Sequence, residues 1–182
     1  MRLAIVVAVA ACTPPPAAPP RDPSSVVRDE IREAEKAEMA RRHDVARTHY
    51  EQAVTAATDP ASEDFARYKF GETLATWGEF AEAMAQLEKA IAARPNDAAA
   101  WHDLGVLREH EGNVDGAIAA LEKSRDLAPN DYRPRRTLAV TLWKHGFRDR
   151  AAAEYREMLK FDLPDRLRTQ VQWAIDQLAR SP

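Results

Sequence analysis

The stretch WHDLGVLREHEGNVDGAIAALEKSRDLAPND, Trp101 to Asp131, decides the fold. A shift of 34 residues lays it over its neighbours on both sides, so the chain is first of all a repeat. Gly71, Gly105 and Ala139 fall in register, as do Gly78, Gly112 and Gly146. Ala83, Ala117 and Ala151 follow, then Leu87, Leu121 and Tyr155. The connector Pro95-Asn96-Asp97 recurs as Pro129-Asn130-Asp131, and Leu163-Pro164-Asp165 echoes it. Each position has a physical reason. The small residues let two antiparallel helices approach closely, and glycine ends the first helix because it takes a left-handed conformation cheaply. Asp115 and Asp149 fall in the first turn of each second helix, where negative charge suits the dipole. Asp97, Asp131 and Asp165 are placed to cap the helix that follows, after proline has stopped the one before.

The pattern Trp101-x-x-Leu104-Gly105, Ala117-x-x-x-Leu121, Pro129 resembles the tetratricopeptide repeat, with Arg108 where that family places a tyrosine. The resemblance implies an all-α fold: a short right-handed superhelix of antiparallel helix pairs closed by a C-terminal capping helix. Repeats fit at 64–97, 98–131 and 132–165. A degenerate one at 27–60 keeps Ala34, Ala46, Tyr50 and Ala53 but has Arg41 at the turn glycine, and the insertion Ala61–Glu63 separates it from the next. Within 165–182, Leu167, Val171, Ala174, Ile175 and Leu178 make one apolar helical stripe, as a cap requires, with Trp173 beside it as an edge packing residue.

Ahead of the array stands VAVAACTPPPAAPP, Val7 to Pro20, which holds the chain's single cysteine. The apolar run Leu3–Ala11 is too short to span a bilayer, which takes roughly 20 apolar residues. It suits the apolar part of a secretory signal, with Arg2 as the positive flank. Val9-Ala10-Ala11-Cys12 resembles the lipobox of bacterial lipoproteins, so the resemblance implies a signal peptide at 1–11 and lipidation of Cys12. The proline-rich linker at 12–26 would then be an extended spacer. Thr13 stands where inner-membrane lipoproteins often carry aspartate, which favours an outer-membrane lipoprotein facing the periplasm of a bacterial envelope. Ala8-Val9-Ala10 also reads as an ordinary cleavage site, which would leave a soluble periplasmic scaffold, self-associating through the degenerate repeat or Trp173.

In the family that the array resembles, the concave face is lined by the second, fifth, ninth, twelfth and thirteenth residues of each first helix. Carried over, these are Phe65, Tyr68, Glu72, Ala75 and Thr76, then Ala99, His102, Val106, Glu109 and His110, then Arg133, Arg136, Val140, Trp143 and Lys144. The expected face is aromatic at one end and basic at the other, able to seat a peptide or helix segment of a protein partner. The lysine-and-asparagine clamp of chaperone-binding members is absent, since Tyr68, Glu72 and Val106 occupy its positions. Lipoproteins of similar architecture include pilotin-type assembly factors of type IV pili and adaptors for cell-wall enzymes, so the expected role is a membrane-anchored adaptor for an envelope complex.

Other classes find little support. The net charge of -3 argues against nucleic acid as a partner, and one cysteine excludes both an internal disulfide and a thiolate zinc site. His102 and His110 lie two turns apart, roughly 12 Å, too wide for one metal ion without further ligands. His43, His49 and His145 read as surface or packing residues. No nucleophile motif or phosphate loop is present, so the expectation is a non-enzyme without metal or cofactor, touching a membrane through its lipid anchor only.

Overall fold

A computed structural model describes residues 22–180. The expected signal peptide, Cys12 and the linker as far as residue 21 lie outside the described residues, as do Ser181 and Pro182. The described chain is all helical: α1 (Pro23–Met39), α2 (His43–Ala56), α3 (Pro60–Trp77), α4 (Phe80–Ala93), α5 (Ala98–His110), α6 (Val114–Leu127), α7 (Tyr132–Lys144), α8 (Arg148–Met158) and α9 (Asp165–Arg180). The dominant contacts join α1 to α2, α3 to α4, α5 to α6 and α7 to α8, each pair then leaning on the next, with α9 against α8. This is the stacked helix-pair array that the repeat implied.

The turns inside the pairs are built alike. Gly78, Gly112 and Gly146 take φ of 83°, 80° and 83°. In each turn the glycine N–H and the N–H after it bond back to the helix, as in Gly112 to the Glu109 carbonyl (3.1 Å) and Asn113 to the Arg108 carbonyl (2.8 Å). Such paired bonds satisfy the last orphan carbonyls of the first helix. Arg41 stands at the same place in the degenerate repeat with φ of 56°, and Arg41 and Arg42 make the same two bonds to Glu38 and Ala37.

Aspartate begins the first helix of each pair: the side chains of Asp22, Asp59, Asp97 and Asp131 accept hydrogen bonds from the opening turns of α1, α3, α5 and α7. Two sequence expectations are corrected here. Asp165 does not cap α9 but lies within its first turn, and the Pro164 carbonyl accepts from the Arg168 N–H at 2.9 Å. Proline has no N–H to lose and so suits this half-in position, while Asp165 still complements the dipole. Ala61–Glu63 is no spacer either, because with Pro60 it forms an extra first turn of α3 under a capping box between Asp59 and Ser62.

The core follows the repeat. Ala34, Ala46 and Ala53 are fully buried, as are Leu74, Ala83, Leu104, Ala117 and Leu121. The apolar stripe of α9 buries Val171, Ala174, Ile175 and Leu178 against Met158, Leu163 and Tyr155, so the last pair is shielded as a cap should shield it.

Candidate functional site

One face of α1, α3, α5 and α7 carries a row of shallow clefts. Between α3, α5 and α7 a cleft of about 370 Å³ is lined by Tyr68, Ala99, His102, Asp103, Asp131 and Arg133. The Tyr68 hydroxyl donates to Asp103 Oδ2 at 3.1 Å, and burial pushes its pKa up. His102 lies 2.8 Å from Asp103 Oδ1 through Nδ1 and 3.0 Å from Thr137 Oγ1 through Nε2. The Tyr68–Asp103 and His102–Thr137 bonds stitch neighbouring repeats together, so His102 serves the array itself before any ligand.

A second cleft, about 310 Å³, opens between Val140, Trp143 and Lys144. Trp143 meets the buried Tyr155 edge-on (centroids 6.2 Å apart) and Trp173 of α9 at 6.0 Å. Trp173 is 58% exposed, so its outer side is bare and the aromatic pair is a surface feature rather than an edge of the core. Val106 and Val140, at matching positions of α5 and α7, are 40% and 49% exposed, and Phe65 is 39% exposed.

The basic end is weaker than the residue types suggested. Arg133 pairs with Asp131 at 2.6 Å, and that hydrogen bond is the main reason the Asp131 pKa is lowered. Lys144 Nζ pairs with Glu109 at 2.6 Å, and His145 Nε2 is 3.1 Å from the same oxygen. These two partners, Lys144 first, hold the Glu109 carboxyl below its ordinary range. Glu109 therefore neutralises the basic end instead of standing free beside it. Arg136 is exposed and has no ion pair among the described residues, though it lies outside both clefts.

Sequence reasoning passed over the opposite end. A third cleft, about 270 Å³, lies between α1 and α3 and is lined by Glu35, Glu38, Tyr50, Lys69, Glu72, Thr73 and Thr76. The signal was available: the register that picks Val106 and Glu109 in α5 picks Glu35 and Glu38 in α1.

The other residues considered for chemistry have structural roles. His43 stacks on Trp77 at 4.7 Å, and His49 Nδ1 meets Glu30 at 2.7 Å. His110 packs on Phe80, with ring centroids 4.3 Å apart. Among the described residues no three His, Cys, Asp or Glu side chains converge as a metal site would require, and no helix is long and apolar enough to cross a membrane.

Comparison with known proteins agrees with this geometry. Residues 68–132 match the family model for the tetratricopeptide repeat. The PEX5-related protein of Homo sapiens is 29% identical over 141 residues, and that of Mus musculus is 28% identical over 141 residues. Each match covers 70% of this chain but only 22% and 24% of the relatives, so the chain spans less than a quarter of their length. Among solved structures, MamA from Desulfovibrio magneticus RS-1 superposes with a TM-score of 0.63 at 22% identity, covering 78% of this chain and 76% of that one. PilF of Pseudomonas aeruginosa gives 0.68 at 17% identity, covering 85% and 68%. At these identities the structures speak for the fold alone, and the fold is the tetratricopeptide-repeat solenoid: a right-handed superhelix of helix pairs with its cap. The coarse functional class is a protein-interaction scaffold.

Proposed function

We propose that this protein is a lipid-anchored adaptor that seats a peptide or helix of a partner protein on the face of α1, α3, α5 and α7 and helps to assemble a complex of the bacterial envelope. The observation that carries the binding face is its bare apolar surface. Val106, Val140 and Trp173 are each at least 40% exposed, and together with Trp143 they follow one side of the array. A monomer gains nothing by leaving such side chains in water, whereas an interface does. Support for the anchor comes from Val9-Ala10-Ala11-Cys12 and the prolines behind it, which would hold the array off an outer membrane by a semi-rigid spacer.

Two experiments test the two halves. In-cell cross-linking followed by mass spectrometry, comparing the wild type with an Arg133→Ala/Arg136→Ala/Trp143→Ala variant, should recover envelope proteins only with the wild type. Trp143 and Arg136 should account for most of the loss, since Asp131 already holds Arg133. Equal recovery would move the binding surface off this face. Membrane fractionation with Cys12→Ala should release the protein. A wild type that is already soluble would favour the unanchored periplasmic scaffold, for which the bare Trp173 offers a self-association surface.

A further inference from the structure

Apart from Arg28 near the start of α1, which is exposed and has no anion in ion-pair range among the described residues, the charges left unpaired on the groove are arranged by sign. On its four helices most ionised groups are spoken for: Glu72 by Lys69 at 2.9 Å, Asp131 by Arg133, Glu109 by Lys144, and Asp103 by its hydrogen bonds with Tyr68 and His102. Among the described residues, Glu35 and Glu38 on α1 have no cation in ion-pair range, and neither has Arg136 on α7 an anion. Glu38 is nonetheless held in place. Thr73 Oγ1 donates to the buried Tyr50 hydroxyl at 3.0 Å, and that hydroxyl donates to Glu38 Oε2 at 3.1 Å. The result is a carboxylate preset in a cleft of about 270 Å³ whose lining sets three glutamates against one lysine. The exposed Val106 lies on α5, between this acidic end and α7, and α7 carries Arg136, Val140 and Trp143, the last of them paired with Trp173 of α9.

Building on the binding face argued above, we propose that its occupant is one charge-separated segment of a partner protein. Lysine or arginine of that segment sits over Glu35 and Glu38, apolar residues lie along Val106 and Val140 with a bulky anchor on Trp143 and Trp173, and an acidic residue faces Arg136. Neighbouring helices pack about 10 Å apart, so the three steps from α1 to α7 span about 30 Å. An extended segment covers that distance with about nine residues. A fixed carboxylate binds a cation at less ordering cost than a free side chain would. Opposite charges at the two ends reject segments of uniform sign, because like charges would meet at one end or the other. Lys69 is already paired with Glu72, so the two carboxylates of Glu35 and Glu38 are what the cleft offers to the cations of the segment.

The test uses fluorescein-labelled synthetic peptides with a shared Leu-Trp-Leu centre: one with lysines at one end and glutamates at the other, one with lysines at both, one with glutamates at both. Binding to the full chain is followed by fluorescence anisotropy. The charge-separated peptide should bind tightest and weaken as salt rises. Glu35→Lys/Glu38→Lys should lower its affinity about tenfold and raise that of the all-glutamate peptide. Arg136→Glu should act in the mirror sense. A photo-cross-linker at the lysine end should label α1 and α3, and one at the glutamate end α7 or α9. Equal affinity for the three peptides, charge reversals without effect, labels spread evenly, or no binding by any peptide would each overturn the proposal. Trp143→Ala distinguishes the two readings. If it abolishes binding while the charge order proves irrelevant, the groove stands and its polarity falls; if it changes nothing, both fall. Circular dichroism of each variant should match the wild type, since Glu35 and Arg136 are exposed and Glu38 and Trp143 only half-buried.

Discussion

The two halves of the array reach one architecture by different means. From α5 onward the repeat is regular: Gly112 and Gly146 make the turns, Leu121 lies over Gly105, and α9 closes the end. Before α5 the α3–α4 pair keeps the regular residues, Gly78 in its turn and Leu87 over Gly71, but at other positions the same geometry is held by less suitable ones. Arg41 takes the left-handed turn, and Asp64 is buried at 1% exposure where Ala98 and Tyr132 stand in the later repeats; Tyr50, which stacks on Phe70 at 5.4 Å, stands for the packing leucine as Tyr155 does in the later half. The Asp64 Oδ2 pairs with Arg94 at 3.1 Å, but Oδ1 has no hydrogen-bond partner, and burial first, then the nearby Asp97, pushes the carboxyl up to about 6. Paired backbone hydrogen bonds and close helix contact therefore define the repeat, and side-chain identity matters only where it obstructs one of them.

The largest effect should come from obstructing the regular half. A Cβ on Gly105 would meet Leu121 Cγ at 2.7 Å, against 3.1 Å from Gly71 to Leu87 Cγ. Gly105→Trp should therefore cost about 3 kcal/mol or more and unfold the array cooperatively, each repeat being stabilised by its neighbours. Gly105→Ala should lower Tm more than Gly71→Ala does. Thermal melts followed by circular dichroism check both, and an unchanged Tm for Gly105→Trp would refute the close approach of α5 to α6.

A smaller effect belongs to Asp64. Its folded pKa of about 6 lies above the ordinary carboxylate value near 4. Protonation therefore favours the folded state; the benefit is complete below about pH 4 and is lost as the pH rises through about 6. Asp64→Asn, neutral throughout, should flatten the dependence of Tm on pH across that window. A slope identical to that of the wild type would show that Asp64 does not titrate there.

The smallest effect is expected at Arg41, where the two halves differ by one residue in one turn. Left-handed backbone is unfavourable for arginine and costs glycine little. Arg41→Gly should stabilise the protein by about 0.5–1 kcal/mol, read as a higher denaturant midpoint at unchanged m-value. Destabilisation would mean that the arginine side chain itself holds α1 to α2.

The sequence by itself determined the helix pairs, their register, the turn at Arg41 and the capping stripe of α9. These are local demands, since a left-handed turn, a close helix contact or a helix start each depends on residues a few positions apart and recurs with the period. It could also name the groove positions, because register carries a face from one repeat to the next. Only the tertiary structure decided which of those positions remain free to bind. Tyr68 to Asp103, His102 to Thr137 and Glu109 to Lys144 all join residues 35 apart, one repeat and one residue, across the gap between neighbouring first helices. Whether such groups meet depends on side-chain reach across that gap, which a one-dimensional pattern does not contain. That is why Lys144 and Glu109 read as open binding groups in the sequence and are partnered in the fold, whereas Arg133 is held locally by Asp131, two residues before it, and Trp173 gains its prominence only in the fold.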